Sequence, residues 1–372
     1  MLTKGDDYPI HQRPEPVAYA GATRNFYDRY FFNGYALDGT GEETPFFAAA
    51  LGVYPQLNIM DASFSVIHKG IQHNIHASKI LGMERMDTTV GPIEIQVVEP
   101  LEKLLIKVDD PENDIHAELL FEKRALAIEE PRFTHRIGPR TLFDYTRLTQ
   151  NGAYRGWIEI QGDRIEIEPA QYRGTRDRSW GIRPVGAQDS QAVAPPPDPQ
   201  FYWLWAPINF DDHIALCGVN EDENGEPWHS SAVIAPVGDG RPVRMSSVKR
   251  ELAFKPGTRH AASARFELEH PGGKTITLNL EPKYNFYMAG LGYMHPEWGH
   301  GVYKGELATG YEAFDPGELN EAAPLYLHVQ AFCEATLEGL EGGQRKGVGV
   351  LEQLFIGPHK PSGFKSLLDM AH

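Results

Sequence analysis

Residues 157–168 read WIEIQGDRIEIE. Ile158 and Ile160 alternate with polar neighbours, as do Ile165 and Ile167. Gln161-Gly162-Asp163 between them is turn chemistry, so the stretch predicts a β-hairpin with the four isoleucines on one buried face. The same grammar recurs on both sides. Asp61–His68 (DASFSVIH) alternates so that Ala62, Phe64 and Val66 share a face, Lys69-Gly70 is a turn, and 71–80 is the return strand. Residues 114–129 (DIHAELLFEKRALAIE) contain good helix formers, but their apolar spacing fits a long strand better. The 37 glycines and 28 prolines punctuate short runs rich in Val, Ile, Phe, Tyr and Trp along the whole chain. Helical character is confined to short stretches at 44–51 and 362–371. No short repeat is visible, so the expectation is an all-β sandwich or barrel rather than a solenoid or propeller.

Composition bounds the function. Of 372 residues, 41% are hydrophobic and 23% charged, which suits packed cores and excludes wholesale disorder. The formal net charge of -16 repels phosphate backbones and anionic bilayers, so no nucleic-acid partner is expected. No run approaches the length of a membrane span and the first residues, MLTKGDDYPIHQRPEP, lack an apolar leader. No integral membrane association is expected. Cys217 and Cys333 do not make a disulfide framework, and they suit a reducing, cytoplasmic setting. The run GAQDSQAVAPPPDPQ at 186–200 carries three consecutive prolines that no sheet interior accepts. It sets the expected domains: 1–188, a Pro-rich linker at 189–200, and 201–372.

Three constellations carry candidate chemistry. In GTRDRSWGIRP (174–184), an extended backbone puts Arg176, Arg178 and Trp180 on one face and Asp177 and Ser179 on the other. Asp177 is a candidate proton donor; the competing reading is an Arg–Asp network closing a barrel end. In YNFYMAGLGYMHPEWGHGVYKG (284–305), Tyr287, Tyr293, His295, Trp298 and His300 offer aromatic bodies with polar tips, suited to a pocket for an apolar molecule. The spacing of His295 and His300 around Pro296 is not that of a helical zinc motif, so no metal is expected there. In FYWLWAPINFDDH (201–213), Trp203 and Trp205 share a face, while Asp211 and Asp212 are a weaker acid candidate that also reads as a turn. His73 and His76 fall on opposite faces of an extended strand. No glycine-rich nucleotide loop, Walker loop or serine elbow is present, so no cofactor is expected.

The stretches YFFNGYALDG (30–39), VGPIEIQVVEP (90–100), TQNGAYRGWIEIQGDRIEIE (149–168), GTRDRSWGIRP, GLGYMHPEWGHG (290–301) and GVGVLEQLFIGPHKPSGF (347–364) together resemble a bacterial family of unassigned function. That family is similar to the AttH-like and carotenoid 1,2-hydratase (hydroxyneurosporene synthase) proteins of the calycin group. The resemblance implies two lipocalin-like antiparallel barrels packed together. Relatives include enzymes that protonate an isoprenoid double bond and proteins that only bind lipid. The hydratases place a His-x-Trp pair where this chain has Arg178-Ser179-Trp180, and the nearest counterpart of their Tyr-x-Asp pair is Phe210-Asp211.

The reading that follows is a cofactor-independent enzyme acting on a lipophilic terpenoid, steroid-like or aromatic substrate by proton-driven hydration, dehydration, isomerisation or cyclisation. Asp177, Tyr293 and His300 would move protons, and Arg178, Trp180, Trp203, Trp205, Tyr287, His295 and Trp298 would hold the substrate. The competing reading is a non-catalytic carrier or chaperone for a small lipophilic ligand. A homodimer is compatible with either.

Overall fold

The computed structural model describes residues 2–11, 23–39, 44–187 and 199–372. The expected linker falls almost wholly outside them. The described secondary structure is strand, with short 3-10 turns as its helical segments. Among the described residues no helix is long and apolar enough to cross a membrane.

The chain divides into two compact units. Unit 1 comprises Met1–Ala192 and Gly290–Asp315, and unit 2 comprises Val193–Ala289 and Pro316–His372. In unit 1, strands β1 (Phe26–Ala36), β2 (Phe46–Tyr54), β3 (Ile59–His68) and β4 (Ile71–Ile80) run antiparallel in sequence order. On the far side of β1 follow Tyr172–Ile182, Arg140–Ile160, Ile115–Lys123, Lys103–Asp110, Ile93–Glu99 and Thr89–Val90. Those last two strands come back against β3 and β4, which nearly closes a barrel. Gly91 sits at that seam with φ +54, where an added Cβ would lie 3.0 Å from Thr309 and 3.4 Å from Ala77. Unit 2 is a nine-stranded antiparallel half-barrel with Phe201–Phe210 paired to Arg345–Ile356 near its middle.

Local chemistry explains the strands. Gln161 and Gly162 (φ 52 and 80) and Lys69 and Gly70 (φ 49 and 79) take the left-handed conformations of tight hairpin turns. Ile158, Ile160 and Ile167 are fully buried, with Ile165 packed beside them. The long strand expected over 114–129 is a strand only over Ile115–Lys123; it stops there, and Ile128–Glu129 pairs separately with Leu148 and Thr149. The short helix expected at 44–51 is instead β2. Its alanines favour a helix, but every residue of the strand is buried and pairs with β1 on one side and β3 on the other, and that pairing overrides propensity. Nor is 362–371 helical: the carbonyls of Ser366 and Asp369 accept from Arg259, and Ala371 bonds to the 257–258 loop, which uses the groups a helix would need. Residues 290–315, grouped by sequence with the C-terminal half, return to unit 1, where Leu307–Phe314 pairs with β4.

The interior of unit 1 is occupied by side chains. Phe47 meets Tyr154 edge-on at 4.9 Å, Phe121 meets Tyr154 at 5.4 Å, and Phe32 meets Phe121 at 6.3 Å. Arg176 and Arg178 also point to this inner face, where the N-terminal segment meets them. Arg176 donates to Asp7 Oδ1 (2.5 Å) and to Gln150 (2.9 Å), and the Leu101 amide also donates to Asp7. Arg178 pairs with Asp28 at 2.6 Å and donates to the Tyr8 carbonyl at 2.8 Å. His11 bridges Asp28 (2.8 Å) and Asp6 (3.1 Å) while stacking on Trp180 at 3.7 Å. Burial alone would raise the Asp28 carboxyl; Arg178 and His11 overcome that and hold it below its usual range. The RDRSW stretch is thus a receptacle for residues 3–11, and its acids come from Asp7 and Asp28.

Arg176 and Asp7 are both fully buried, so removing one partner strands the other's charge. Asp7→Ala is expected to cost about 3–5 kcal/mol in urea denaturation. Adding Arg176→Met to that variant should recover part of the loss.

Candidate functional site

Period-2 alternation turns one row of the β3–β4 hairpin into the barrel and leaves the other facing out. The outward row is polar: Asp61, Ser63 and Ser65 on β3, and Gln72, Asn74, His76 and Ser78 on β4. Most of this row is nevertheless buried. Residues 290–305 cover it, with Ser65 Oγ donating to the Gly290 carbonyl at 2.9 Å and Ser78 Oγ to that of Val302 at 3.3 Å. Gly290 must lack a side chain, because a Cβ would come within 1.9 Å of Asn74 Oδ1. Between cover and hairpin lies a crevice lined by Asp61, Ser63, His76, Ser78, Trp298 and His300 among others, with about 10 Å³ of enclosed space. That is room for a water molecule, so anything larger must lie across its mouth.

Asp61 forms one wall. Its Oδ2 accepts from the Gly301 amide (2.6 Å) and its Oδ1 from Tyr54 Oη (3.2 Å). Burial pushes its carboxyl up to about 6, against the opposing pull of Arg29 and those hydrogen bonds. On the same row, His76 stacks on Trp298 at 5.4 Å, and burial lowers its basicity despite Glu312 nearby. Glu312 comes from the strand Leu307–Phe314. Its Oε1 faces His76 Nε2 at 3.4 Å and its Oε2 faces His295 Nε2 at 3.3 Å. Burial would raise Glu312, yet hydrogen bonds from the two imidazoles bring it down to about 2.

His76, His295 and Glu312 place their ligand atoms within 4.8 Å of one another, the spacing of a metal site. The hydrogen bonding does not suit one. His295 Nδ1 accepts from the amides of Glu297 (3.1 Å) and Trp298 (2.9 Å), so the ring hydrogen sits on Nε2 and points at Glu312. A metal on Nε2 would demand an imidazolate, whereas ligating histidines normally donate from their other nitrogen. The group reads as a carboxylate braced between two imidazole donors.

Beside the crevice, Arg29 Nη1 (3.1 Å) and Arg183 Nη2 (3.0 Å) both donate to His300 Nδ1, and His300 Nε2 donates to the Leu291 carbonyl at 2.9 Å. Two guanidiniums donate to Nδ1 and oppose a positive charge on the ring, so His300 is a poor proton acceptor. It is a positioning residue behind the Asp61 wall. Tyr293 packs edge-on against it at 4.5 Å and lies under Arg29 at 4.7 Å.

The sequence-derived candidates therefore separate. His295, Trp298, His300 and Tyr293 gather in or beside this crevice. Arg178 and Trp180 belong to the N-terminal receptacle. Asp177 lies on the opposite face of their strand, half-buried and within electrostatic reach of Arg147. Trp203, Trp205 and Tyr287 belong to unit 2, where Trp203 Nε1 donates to Glu352 (2.9 Å) and Tyr287 Oη to Glu321 (3.0 Å). Asp211 and Asp212 form an exposed turn, with Asp212 paired to Arg345 at 3.0 Å. Cys217 and Cys333 are buried, and burial pushes the Cys217 thiol up to about 12, so neither is an activated nucleophile. Asp61, Ser63 and Glu312 were missed. The available signal was the polar identity of the hairpin's second row, which a solvent-facing row also shows.

The chain belongs to a family of unknown function, DUF8625, whose model matches residues 2–365. No curated protein sequence matches it. Among solved structures it is similar to an AttH-like protein from Nitrosomonas europaea, with TM-score 0.53, 12% identity, and 89% of this chain and 94% of that one covered. It is also similar to kievitone hydratase from Nectria haematococca, with TM-score 0.51, 10% identity and 88% of each chain covered. At such identities the likeness concerns the fold, and it supports the calycin-like architecture read from the sequence.

A raised carboxyl has a thermodynamic signature. Asp61 near 6 in the folded chain, against about 4 unfolded, contributes stability below the unfolded value that is lost as pH rises through about 6. Asp61→Asn abolishes that loss. The variant should match the wild type at pH 4 and exceed it by roughly 2–3 kcal/mol at pH 8, read from thermal or urea denaturation.

Proposed function

We propose that the crevice under residues 290–305 is the active site of a proton-transfer enzyme of the hydratase, dehydratase or isomerase kind. The observation that supports this most is that a carboxyl pushed up to about 6 and an imidazole of lowered basicity, Asp61 and His76, stand on the same outward row of the hairpin and line one small crevice. Burial moves both groups towards their uncharged forms, which lets one give and the other take a proton near neutral pH.

In the forward sense Asp61 protonates an electron-rich carbon, and His76 takes the proton from an attacking water or from an adjacent carbon. Arg29 and Arg183 steady the wall through His300, and Tyr54 fixes the carboxyl. Every proton comes from and returns to this chain's own groups or to water, so the reading calls for no cofactor. The enclosed space is too small for a ring system, so the body of the substrate lies outside it. The cover segment leaves Met294 (41%) and Tyr303 (67%) exposed at that surface, which suits a lipophilic body. Kinship in fold with a named hydratase adds analogy only.

The test is an untargeted comparison. A lipid-rich extract is incubated in D2O with wild-type chain or with Asp61→Asn, and mass spectrometry seeks products that gain or lose one water or take up deuterium. Wild type is expected to give such products, and Asp61→Asn to give them roughly 100-fold more slowly or not at all. Equal product from both variants removes Asp61 as the acid. A molecule that copurifies unchanged with both identifies a carrier.

A further inference from the structure

We propose that Ser63 is a nucleophile, primed by His76 and Glu312 for acyl transfer. The crevice then has a second chemistry that does not rest on proton donation by Asp61 and shares only His76 with it.

Register supplies the geometry. Ser63 and His76 stand directly opposite each other on β3 and β4, and both line the crevice. Ser63 Oγ lies 3.3 Å from His76 Nδ1. His76 Nε2 faces Glu312 Oε1 at 3.4 Å, and a carboxylate held down to about 2 only accepts. The imidazole hydrogen therefore belongs on Nε2, which leaves the Nδ1 lone pair for the serine hydroxyl. Glu312 is braced on its other oxygen by His295, whose tautomer two backbone amides fix. The order is nucleophile, base, orienting acid, with the two imidazole nitrogens exchanged relative to the usual serine triad. Distances slightly beyond 3.2 Å are common for such groups without substrate.

The rest of the crevice suits the reaction. Trp298 stacks along His76 and restricts its rotation, and the ring lies so close to Gly310 that a Cβ there would fall 2.3 Å from it. Lys304 lines the same space, with its Nζ over the Trp298 ring at 4.8 Å and 3.7 Å from Glu297, so the crevice wall carries a cation. Ser63 Oγ attacks the carbonyl carbon of an ester and its proton passes to His76 Nδ1. His76 then protonates the departing alkoxide as the C–O bond breaks. Water, deprotonated by His76, releases the acyl group as a carboxylic acid and returns the proton to Ser63. The products are one acid and one alcohol, with one water consumed. The substrate class is a small, uncharged ester whose body lies across the mouth of the crevice, since the space inside holds no more than a water-sized group.

The full-length chain is treated with a small alkyl fluorophosphonate, and separately with p-nitrophenyl acetate. The expected result is one phosphonyl group per chain, located on the peptide containing Ser63, together with release of nitrophenol. Ser63→Ala should abolish both. His76→Gln should slow them about 100-fold or more, as loss of a general base does. Circular dichroism melts establish that each variant is folded. If His76→Gln is unstable, Glu312→Gln, on a half-exposed residue, carries the same comparison with a smaller expected slowing. Absence of labelling and hydrolysis in the wild type, labelling elsewhere, or rates unchanged by Ser63→Ala overturns the proposal and leaves the Ser63–His76 contact as a structural hydrogen bond.

Discussion

Unit 1 is organised by a polar row that water scarcely reaches. The outward face of the β3–β4 hairpin carries hydroxyls, amides, an imidazole and a carboxyl, and such groups are costly to bury unless each finds a partner. The segment from Gly290 to Gly305 supplies partners for Asp61, Ser65 and Ser78 through its carbonyls and amides, while Ser63 pairs with His76 and Gln72 with Asn74. Its glycines let the backbone come close enough to do so. Barrel wall and cover are therefore one hydrogen-bonded system, and burial beneath it moves Asp61 and His76 towards their uncharged forms.

Burial acts differently on the two charged clusters of this unit. At the N-terminal receptacle, each arginine meets a carboxylate in direct contact, so the acids stay ionised and the cluster is a clasp. At the crevice, the arginines meet a neutral imidazole instead, and the nearest acid accepts from a hydroxyl and an amide. The first arrangement holds its acids ionised; in the second, burial pushes the Asp61 carboxyl up to about 6. Both contain arginine, aspartate and aromatic rings in similar proportion, so composition cannot tell them apart.

That difference explains what was legible in the chain. Alternation in DASFSVIH and WIEIQGDRIEIE fixes which face enters the core, and turn residues fix the hairpins. Opposite faces for Asp177 and its arginine neighbours, and for His73 and His76, follow from the same period. Pairing across the chain does not. Arg176 finds Asp7 at a separation of 169 residues, and His76 finds Glu312 at 236. Local chemistry therefore pointed to Asp177, adjacent in sequence, while Asp61 and Ser63 passed as ordinary outward residues of a strand. The aromatic segment at 284–305 announced itself by composition, but its role as the roof over a hairpin some 220 residues earlier had no local sign. The β2 alanines were misread because helix propensity is a weak prior beside pairing on both edges.

The return of Leu307–Phe314 to the edge of β4 bears on how the protein is made. The ribosome completes β4 at residue 80, and then all of Val193–Ala289 must emerge before the strand that pairs with it. At ordinary elongation rates the gap is on the order of tens of seconds. For that interval the nascent barrel presents a bare β-edge together with an uncovered row of serines, amides and an imidazole. Unpaired edges of this kind recruit other chains. Polar identity along that row thus has a second value: it keeps the half-built protein wetted while its own closing strand is still inside the tunnel or not yet translated.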